Sequence, residues 1–345
     1  MALPVSVSPA VIAGAETTGT EPMLISCDWG TSAFRLRLLR GAEAPKIVAE
    51  RSSLRGILTF DPRDKGEFHD YLTLEIERLF RRARISPAPV PVYLSGMITS
   101  SLGWKELPYV EVPFPLDGSR ILIKKGALRR PCGTHKLTFV SGMRAADDVA
   151  RGEETELIGI FSDVRLGAQR TASLVILPGT HSKAVEVRNG EVVGFRTYLT
   201  GELFQTLQQH TILRHSVSNG PAGFEEAQEF FDLGIRRASV EGMLGWLFTV
   251  RTNDLLKGIP RDLNRHYLSG LLIGDEISSI LKSHRSATPI LLCGSLALQK
   301  LYLRGLTVLE AGSRVHLVPE EVTSIAAALG HWRLAIAEYG PGILD

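Results

Sequence analysis

One short pattern occurs twice in this chain, once in each half. Residues 174–177 form an apolar run that reads as a buried strand. It ends in a hydroxyl-rich turn, Pro178-Gly179-Thr180-His181-Ser182-Lys183. A second run with alternating Val185 and Val187 follows, then Asn189-Gly190, a strong hairpin signal, and a third run over 192–195. Earlier, residues 24–27 run into Asp28-Trp29-Gly30-Thr31-Ser32, residues 34–39 alternate apolar side chains with arginine, and Gly41 turns the chain toward 47–49. Two strand–turn–strand units predict a duplicated domain. Glycine lets a backbone approach an anion, and successive N–H groups with a hydroxyl can donate to phosphate oxygens. Either turn alone reads equally well as an ordinary hairpin. The pair, with an acid in one turn and a lysine in the other, points to a polyphosphate gripped between the copies.

The chain's 345 residues favour two domains over one, and 44% hydrophobic content is enough for sizeable cores. A net charge of +2 with no basic run gives no case for nucleic acid. Cys27, Cys132 and Cys293 form no CxxC pair, and their odd number argues against a disulfide framework. A reducing, cytoplasmic setting fits. Residues 1–22 lack a basic segment followed by an apolar core, so they read as a loose extension and not a signal peptide. No apolar run reaches the length of a membrane span.

Between the two units, Phe68, Leu72, Ile76, Leu79 and Phe80 fall at helical spacing, with arginines at the C-terminal end. A short strand over 90–94 runs into Ser95-Gly96-Met97 and on to Trp104, a small-residue loop suited to ligand binding at the carboxyl end of a sheet. Another strand is expected over 138–140, then a helix over 147–160 with its acids early. After the second unit come helices over 203–213, 224–232, 242–251 and 267–281, a strand over 290–293 ending in Gly294-Ser295, a helix over 296–303, a strand over 315–318 and a closing helix over 321–337.

Asp28 ends an apolar strand, where a carboxylate must be matched by something. It suits a magnesium ion held through water better than a simple turn cap. Lys183 serves either as a point charge on phosphate or as the start of an exposed strand. His181 reads more readily as a packed, hydrogen-bonded histidine. Phosphoryl transfer to an alcohol also needs a group to accept the hydroxyl proton. Glu153, Glu154, Asp147 and Asp148 all stand where a helix can aim a carboxylate into a cleft, and the residues alone leave the choice open. Gly294-Ser295 admits a flat ring or ribose close to the backbone. No GxxxxGK[ST], GxGxxG or HExxH is present, which argues against P-loop, Rossmann and zincin readings.

The paired turns resemble the phosphate motifs of the sugar kinase, Hsp70 and actin superfamily. Within it, DWGTSAFRLRLL (28–39), GWKELPY (103–109), RGEET (151–155), LPGTHSK (177–183), TGELF (200–204) and YLSGLLIGDE (267–276) resemble the 2-dehydro-3-deoxygalactonokinase family, in the same order over nearly the whole chain from residue 23. The resemblance implies an α/β fold of two duplicated ribonuclease H-like domains, the actin-like ATPase fold, with a nucleotide cleft between 23–142 and 143–345. It implies ATP-dependent phosphorylation of the 6-hydroxyl of 2-dehydro-3-deoxy-D-galactonate with Mg²⁺. Asp28, Gly30, Thr31, Ser32 and Arg35 would serve the first phosphate role, and Gly179, Thr180, His181, Ser182 and Lys183 the second. Gly294 and Ser295 would sit at the adenosine, and Ser95, Gly96, Met97 and Trp104 at the sugar acid. Glu153 becomes the base by the same match. Ala33 and Ala184 depart from the family pattern, where a polar residue and a tryptophan are expected. A kinase for a related 2-keto-3-deoxy sugar acid, or a non-catalytic ATP-binding regulator, are the alternatives. The partners expected are ATP and a small sugar acid, with a homo-oligomer left open.

Overall fold

The structure, a computed structural model, describes residues 21–340 except 43, 167, 221–222 and 285–286. The extension expected over 1–22 lies almost wholly outside the described residues.

The first half builds a sheet from β1 (Met23–Trp29), β2 (Phe34–Arg40), β3 (Lys46–Ser53), β4 (Val92–Ser95), β7 (Ile123–Arg130) and β8 (Gly133–Val140), with α1 (Lys65–Ala83) between β3 and β4. Short strands β5 (Val110–Glu111), β9 (Met143–Arg144) and β10 (Val149–Ala150) form a separate small sheet, and β6 (Phe114–Pro115) joins neither of these two. The second half follows as α2 (Glu153–Ser162), β11 (Ala172–Leu177), β12 (Ser182–Arg188), β13 (Glu191–Tyr198), α3 (Thr200–His210), α4 (Phe224–Glu241), α5 (Thr249–Lys257), α6 (Arg261–Ser283), β14 (Ile290–Leu292), α7 (Leu296–Val308), β15 (Val315–Leu317), α8 (Glu320–Thr323) and α9 (Ala326–Tyr339).

The large sheet of the first half runs β3-β2-β1-β4-β8-β7 and that of the second half β15-β14-β11-β12-β13-β6. Within each, the hairpin strands pair antiparallel and the next two pair parallel: β1 with β4 and β4 with β8, β11 with β14 and β14 with β15. Five strands of one sheet therefore repeat five of the other in order and direction, which is the expected duplication. The edge strand β6 comes from the first half yet pairs with β13 of the second, Phe114 opposite Val192.

Strand alternation decides which residues reach the cleft. In β1, Ile25, Cys27 and Trp29 pack with α1 through Phe68, Leu72 and Ile76. Leu24, Ser26 and Asp28 therefore face the other way. Leu24 joins the core between the sheets, and Ser26 bonds His331 of α9 at 2.8 Å. Helices α2 and α9 cross between the sheets at two glycines. A Cβ on Gly159 would lie 1.9 Å from the Ala326 carbonyl oxygen, and one on Gly330 2.0 Å from that of Thr155. Helix α1 starts at Asp64, whose carboxylate accepts from Gly66 N at 2.9 Å and Glu67 N at 3.3 Å.

Three expected helices are corrected. The helix expected over 147–160 begins only at Glu153, because Gly152 takes φ +107° and Asp148 is drawn to Thr197, accepting from its amide at 2.5 Å and its hydroxyl at 3.0 Å. The helix expected over 242–251 begins at Thr249, since Gly242 at φ +80° ends α4 and the Met243 amide donates to Asp275. The closing helix is broken into α8 and α9 near Ile325. The β7–β8 hairpin is an addition. Among the described residues no helix is long and apolar enough to cross a membrane.

Candidate active site

Each Gly-Thr turn is held from behind by a glycine at which a side chain would collide with the turn, Gly56 in a loop and Gly201 in the first turn of α3. In the first, Gly30 N donates to Ala33 O at 2.9 Å, and the Gly30 and Thr31 carbonyls accept from Ile57 and Leu58 at 3.0 and 3.3 Å. A Cβ on Gly56 would stand 2.2 Å from the Thr31 carbonyl oxygen. In the second, Thr180 O accepts from Glu202 N at 3.0 Å. A Cβ on Gly201 would stand 2.5 Å from the Gly179 carbonyl oxygen. The duplication thus extends to the support of both turns. Gly201→Ala should cost about 1–3 kcal/mol of stability in urea melts, as overpacking displaces the turn. Gly245→Ala, where nothing lies within 4 Å, should leave the melt unchanged.

The two turns meet across a cavity of about 640 Å³ that also takes in the start of α2. Thr31 and Ser32 line it from one side, Gly179, Thr180, His181 and Lys183 from the other, and Glu153 from α2. Glu156, Glu202 and Gln205 line it too, none of them among the expected site residues, although Glu202 lies in the TGELF stretch. Glu153 and Glu156 are three apart on one helix face, a spacing that could have flagged Glu156.

Lys183 Nζ lies 2.6 Å from Glu153 Oε1, with the side chains 7% and 19% exposed. The ammonium also donates to His181 O at 2.9 Å. Lys183 is therefore neither an exposed strand residue nor turned to open water. Glu153 Oε2 is buried without a hydrogen-bond partner. His181 pairs with Glu202 at the cavity rim, so it is hydrogen-bonded but not packed away. Glu154 points into the protein and is fully buried, accepting from Gly152 N at 2.8 Å and Thr155 Oγ1 at 2.9 Å. Burial, with Glu153 adding to it, pushes its carboxyl up to about 8. Asp147 is exposed and Asp148 is bound to Thr197, so of the four rival acids Glu153 alone lines this cavity.

Asp28 lies just behind the first turn, its Oδ2 3.7 Å from Arg35 Nη1. Burial pushes its carboxyl up; Arg35 and Arg37 pull against this and Glu153 adds to it. Burial, with Asp28, Glu153 and Glu154 nearby, pushes Glu156 up to about 8. The cleft end of α2 thus holds mutually repelling carboxylates whose charge a cation would offset. Among the described residues no group of three side chains is preassembled to hold a metal ion. That donor set suits a hydrated Mg²⁺ arriving with phosphates, not a closed protein cage.

Other placements depart from expectation. Ser182 is fully buried: its Oγ accepts from Gly179 N at 3.3 Å and lies 2.8 Å from the Tyr302 hydroxyl, so it faces the core and not the cavity. Gly294 and Ser295 line an adjoining cavity of about 480 Å³ that shares Glu156, Leu177 and Pro178 with the first and includes Arg35. Ser295 is the N-cap of α7. A third, largely apolar pocket of about 200 Å³ opens beside Gly179, walled by Phe204 of α3, Leu272 and Arg265 of α6, and Leu298 and Leu301 of α7. Ser95 is buried with its Oγ unpartnered. A Cβ on Gly96 would lie 2.9 Å from the Trp29 carbonyl oxygen and 3.4 Å from Asp28 Oδ1. Met97 and Trp104 pack on the α1 core, Trp104 edge-on to Phe139 at 5.4 Å. These four residues line none of the three cavities. Ala33 contributes its carbonyl to the first turn, and Ala184 is buried among Ile176, Phe231 and Tyr302 behind the second.

The repeated sheets with a cleft between their turns define a protein of the actin-like ATPase fold. The activator of 2-hydroxyisocaproyl-CoA dehydratase from Clostridium difficile shares that fold at a TM-score of 0.50 and 12% identity, over 92% of this chain and 95% of its own. Residues 28–329 match the family described as 2-keto-3-deoxy-galactonokinase, and the chain belongs to it. It is 36% identical over 280 residues to the probable 2-dehydro-3-deoxygalactonokinase DgoK1 of Rhizobium meliloti (strain 1021), covering 80% of this chain and 86% of the relative. To the 2-dehydro-3-deoxygalactonokinase of Escherichia coli (strain K12) it is 31% identical over 264 residues, covering 74% and 80%. A crystal structure from Sinorhizobium meliloti assigned to the same activity superposes with a TM-score of 0.74 at 32% identity, over 91% of this chain and 96% of that one.

Proposed function

We propose that this protein transfers the γ-phosphate of ATP to the 6-hydroxyl of 2-dehydro-3-deoxy-D-galactonate, giving the 6-phosphate and ADP. One observation carries the reading beyond family membership: Glu153 and Lys183 meet in a cavity that both Gly-Thr turns also line. A base and a phosphate-directed cation are brought together where the two halves close.

The amides and hydroxyls of Thr31, Ser32 and Thr180 hold the phosphates, and Lys183 serves as a point charge on them. Glu153 accepts the proton of the attacking hydroxyl. Its free, buried Oε2 is the atom suited to take that proton, while Oε1 is engaged by Lys183. Asp28 and Glu156 would hold the waters of Mg²⁺, which when bound would supply positive charge against the charge developing on the phosphates. We place the base of ATP in the apolar pocket between α3, α6 and α7, where Arg265 lies over the Phe204 ring at 5.0 Å. Gly294 and Ser295 then stand beyond Pro178, on the ribose side. The sugar acid enters from the first-half side, where Thr31 and Ser32 line the cavity that holds Glu153. Closure between 23–142 and 143–345 excludes water and limits wasteful ATP hydrolysis. The three free thiols fit a cytoplasmic enzyme.

Incubation with Mg-ATP and 2-dehydro-3-deoxy-D-galactonate should yield a phosphomonoester whose phosphorus couples to the C6 methylene protons in NMR. A phosphate on another hydroxyl, or no ester, contradicts the proposal. Asp28→Asn should raise the Mg²⁺ concentration for half-maximal rate about tenfold or more, measured by titration at fixed ATP.

A further inference from the structure

Behind the second turn lies a buried carboxylate that the proposed chemistry does not use. We propose that Glu276 is a positioning residue: through Tyr302 and Ser182 it fixes the shape of the turn 179–183 and aligns it with the apolar pocket. This rests on the ATP-binding reading above.

Glu276 of α6 is 2% exposed. Its Oε2 accepts from the Thr200 hydroxyl at the start of α3 and from the Tyr302 hydroxyl of α7 at 2.7 Å. The Ser182 hydroxyl lies 2.8 Å from Tyr302, and Gly179 N donates to Ser182 Oγ at 3.3 Å. Burial pushes the Glu276 carboxyl up to about 7, and its Oε2, which accepts both hydroxyl hydrogens, sets the direction of every bond in the chain. Tyr302 spends its single hydrogen on Glu276. Its oxygen is then the acceptor for the single hydrogen of Ser182. That leaves a Ser182 lone pair for the Gly179 amide. One side chain thus orders groups from α3, α7 and the β11–β12 turn.

The same groups bound the proposed nucleoside site. Gly179, Thr200, Gly201 and Tyr302 all line the apolar pocket. Gly201, the residue after Thr200, is the one pressed against the turn. A buried carboxylate is costly, and apolar residues of similar volume are often as stable or more so. Glu276 Oε1 is itself left without a partner. What an apolar core would not supply is a directed set of hydrogen bonds ending on the turn.

The test is ATP titration calorimetry with steady-state kinetics on wild type, Ser182→Ala, Tyr302→Phe, Glu276→Gln and Glu276→Leu. Each hydroxyl deletion should weaken ATP binding about fivefold to tenfold, the effect of one positioning hydrogen bond. The KM for the sugar acid should stay within about twofold. The Ser182→Ala, Tyr302→Phe double variant should be no weaker than either single, because both cut one chain. Glu276→Gln, whose amide oxygen still accepts, should recover affinity to within about threefold, whereas Glu276→Leu should lose about tenfold or more. If Glu276→Leu fails to fold, the two hydroxyl deletions decide. Variants that melt earlier but bind ATP as wild type does would reduce the network to a structural role and overturn the proposal. A wild type that binds no ATP would sink the function reading, whereas indifferent variants of an ATP-binding wild type sink the network alone.

Discussion

Glu153→Gln is expected to cut the rate of sugar-acid phosphorylation about 10³-fold while ATP binding stays within a few-fold of wild type. Glutamine keeps the size of the side chain and can still accept from Lys183 but cannot take a proton. The position is prepared for proton transfer. Glu153 is the first residue of α2, three residues before Glu156 on the same face, with one oxygen on Lys183 and one buried and free. Rapid-quench measurement of sugar phosphate and calorimetry of ATP on the same sample check the two halves of the prediction. Unchanged turnover removes Glu153 from proton transfer and moves attention to Glu156.

Lys183→Met should be nearly as damaging but by a different route. It removes the point charge proposed for the phosphates and leaves Glu153 with neither oxygen paired. We expect ATP to bind about tenfold more weakly and kcat/KM to fall about 10³-fold. Breaking one partner of a largely buried pair also costs about 3 kcal/mol of stability. Combining Lys183→Met with Glu153→Gln should return much of that stability and none of the activity, because the pair couples in folding and its members act separately in catalysis. Urea melts of the singles and the double, beside ATP titrations, read both effects. ATP affinity unchanged in Lys183→Met would mean that the lysine only neutralises Glu153.

The turns and the duplication were legible because strand alternation and glycine-bearing hairpins are local signals. Asp28 faces away from α1 because it shares parity with Leu24 and Ser26, which the apolar run already encodes. The placement of the acids was less legible. A helix start read at Asp147 puts four carboxylates in play, whereas the actual start at Glu153 sends Glu154 inward and brings Glu156 to the cavity. Gly56 and Gly201 act through backbone distances across the fold, which no local spacing reveals. Ser182 looks like a phosphate donor in the string GTHSK, yet as the first residue of β12 it turns to Tyr302. The β7 strand, IKKGALRR, hid behind the lysines and arginines that blunt a sheet edge. The pairing of β6 with β13 depends on a long-range crossing that composition does not record.

The central claim is transfer from ATP to one sugar acid, and ADP release measures it directly. With Mg-ATP, the account predicts rapid release with 2-dehydro-3-deoxy-D-galactonate, much slower release with its gluconate epimer, and almost none without acceptor. Equal release with and without the acid would contradict it and leave a nucleotide hydrolase. ATP binding without release under any of the three conditions would contradict it too, in favour of a regulator built on the same cleft.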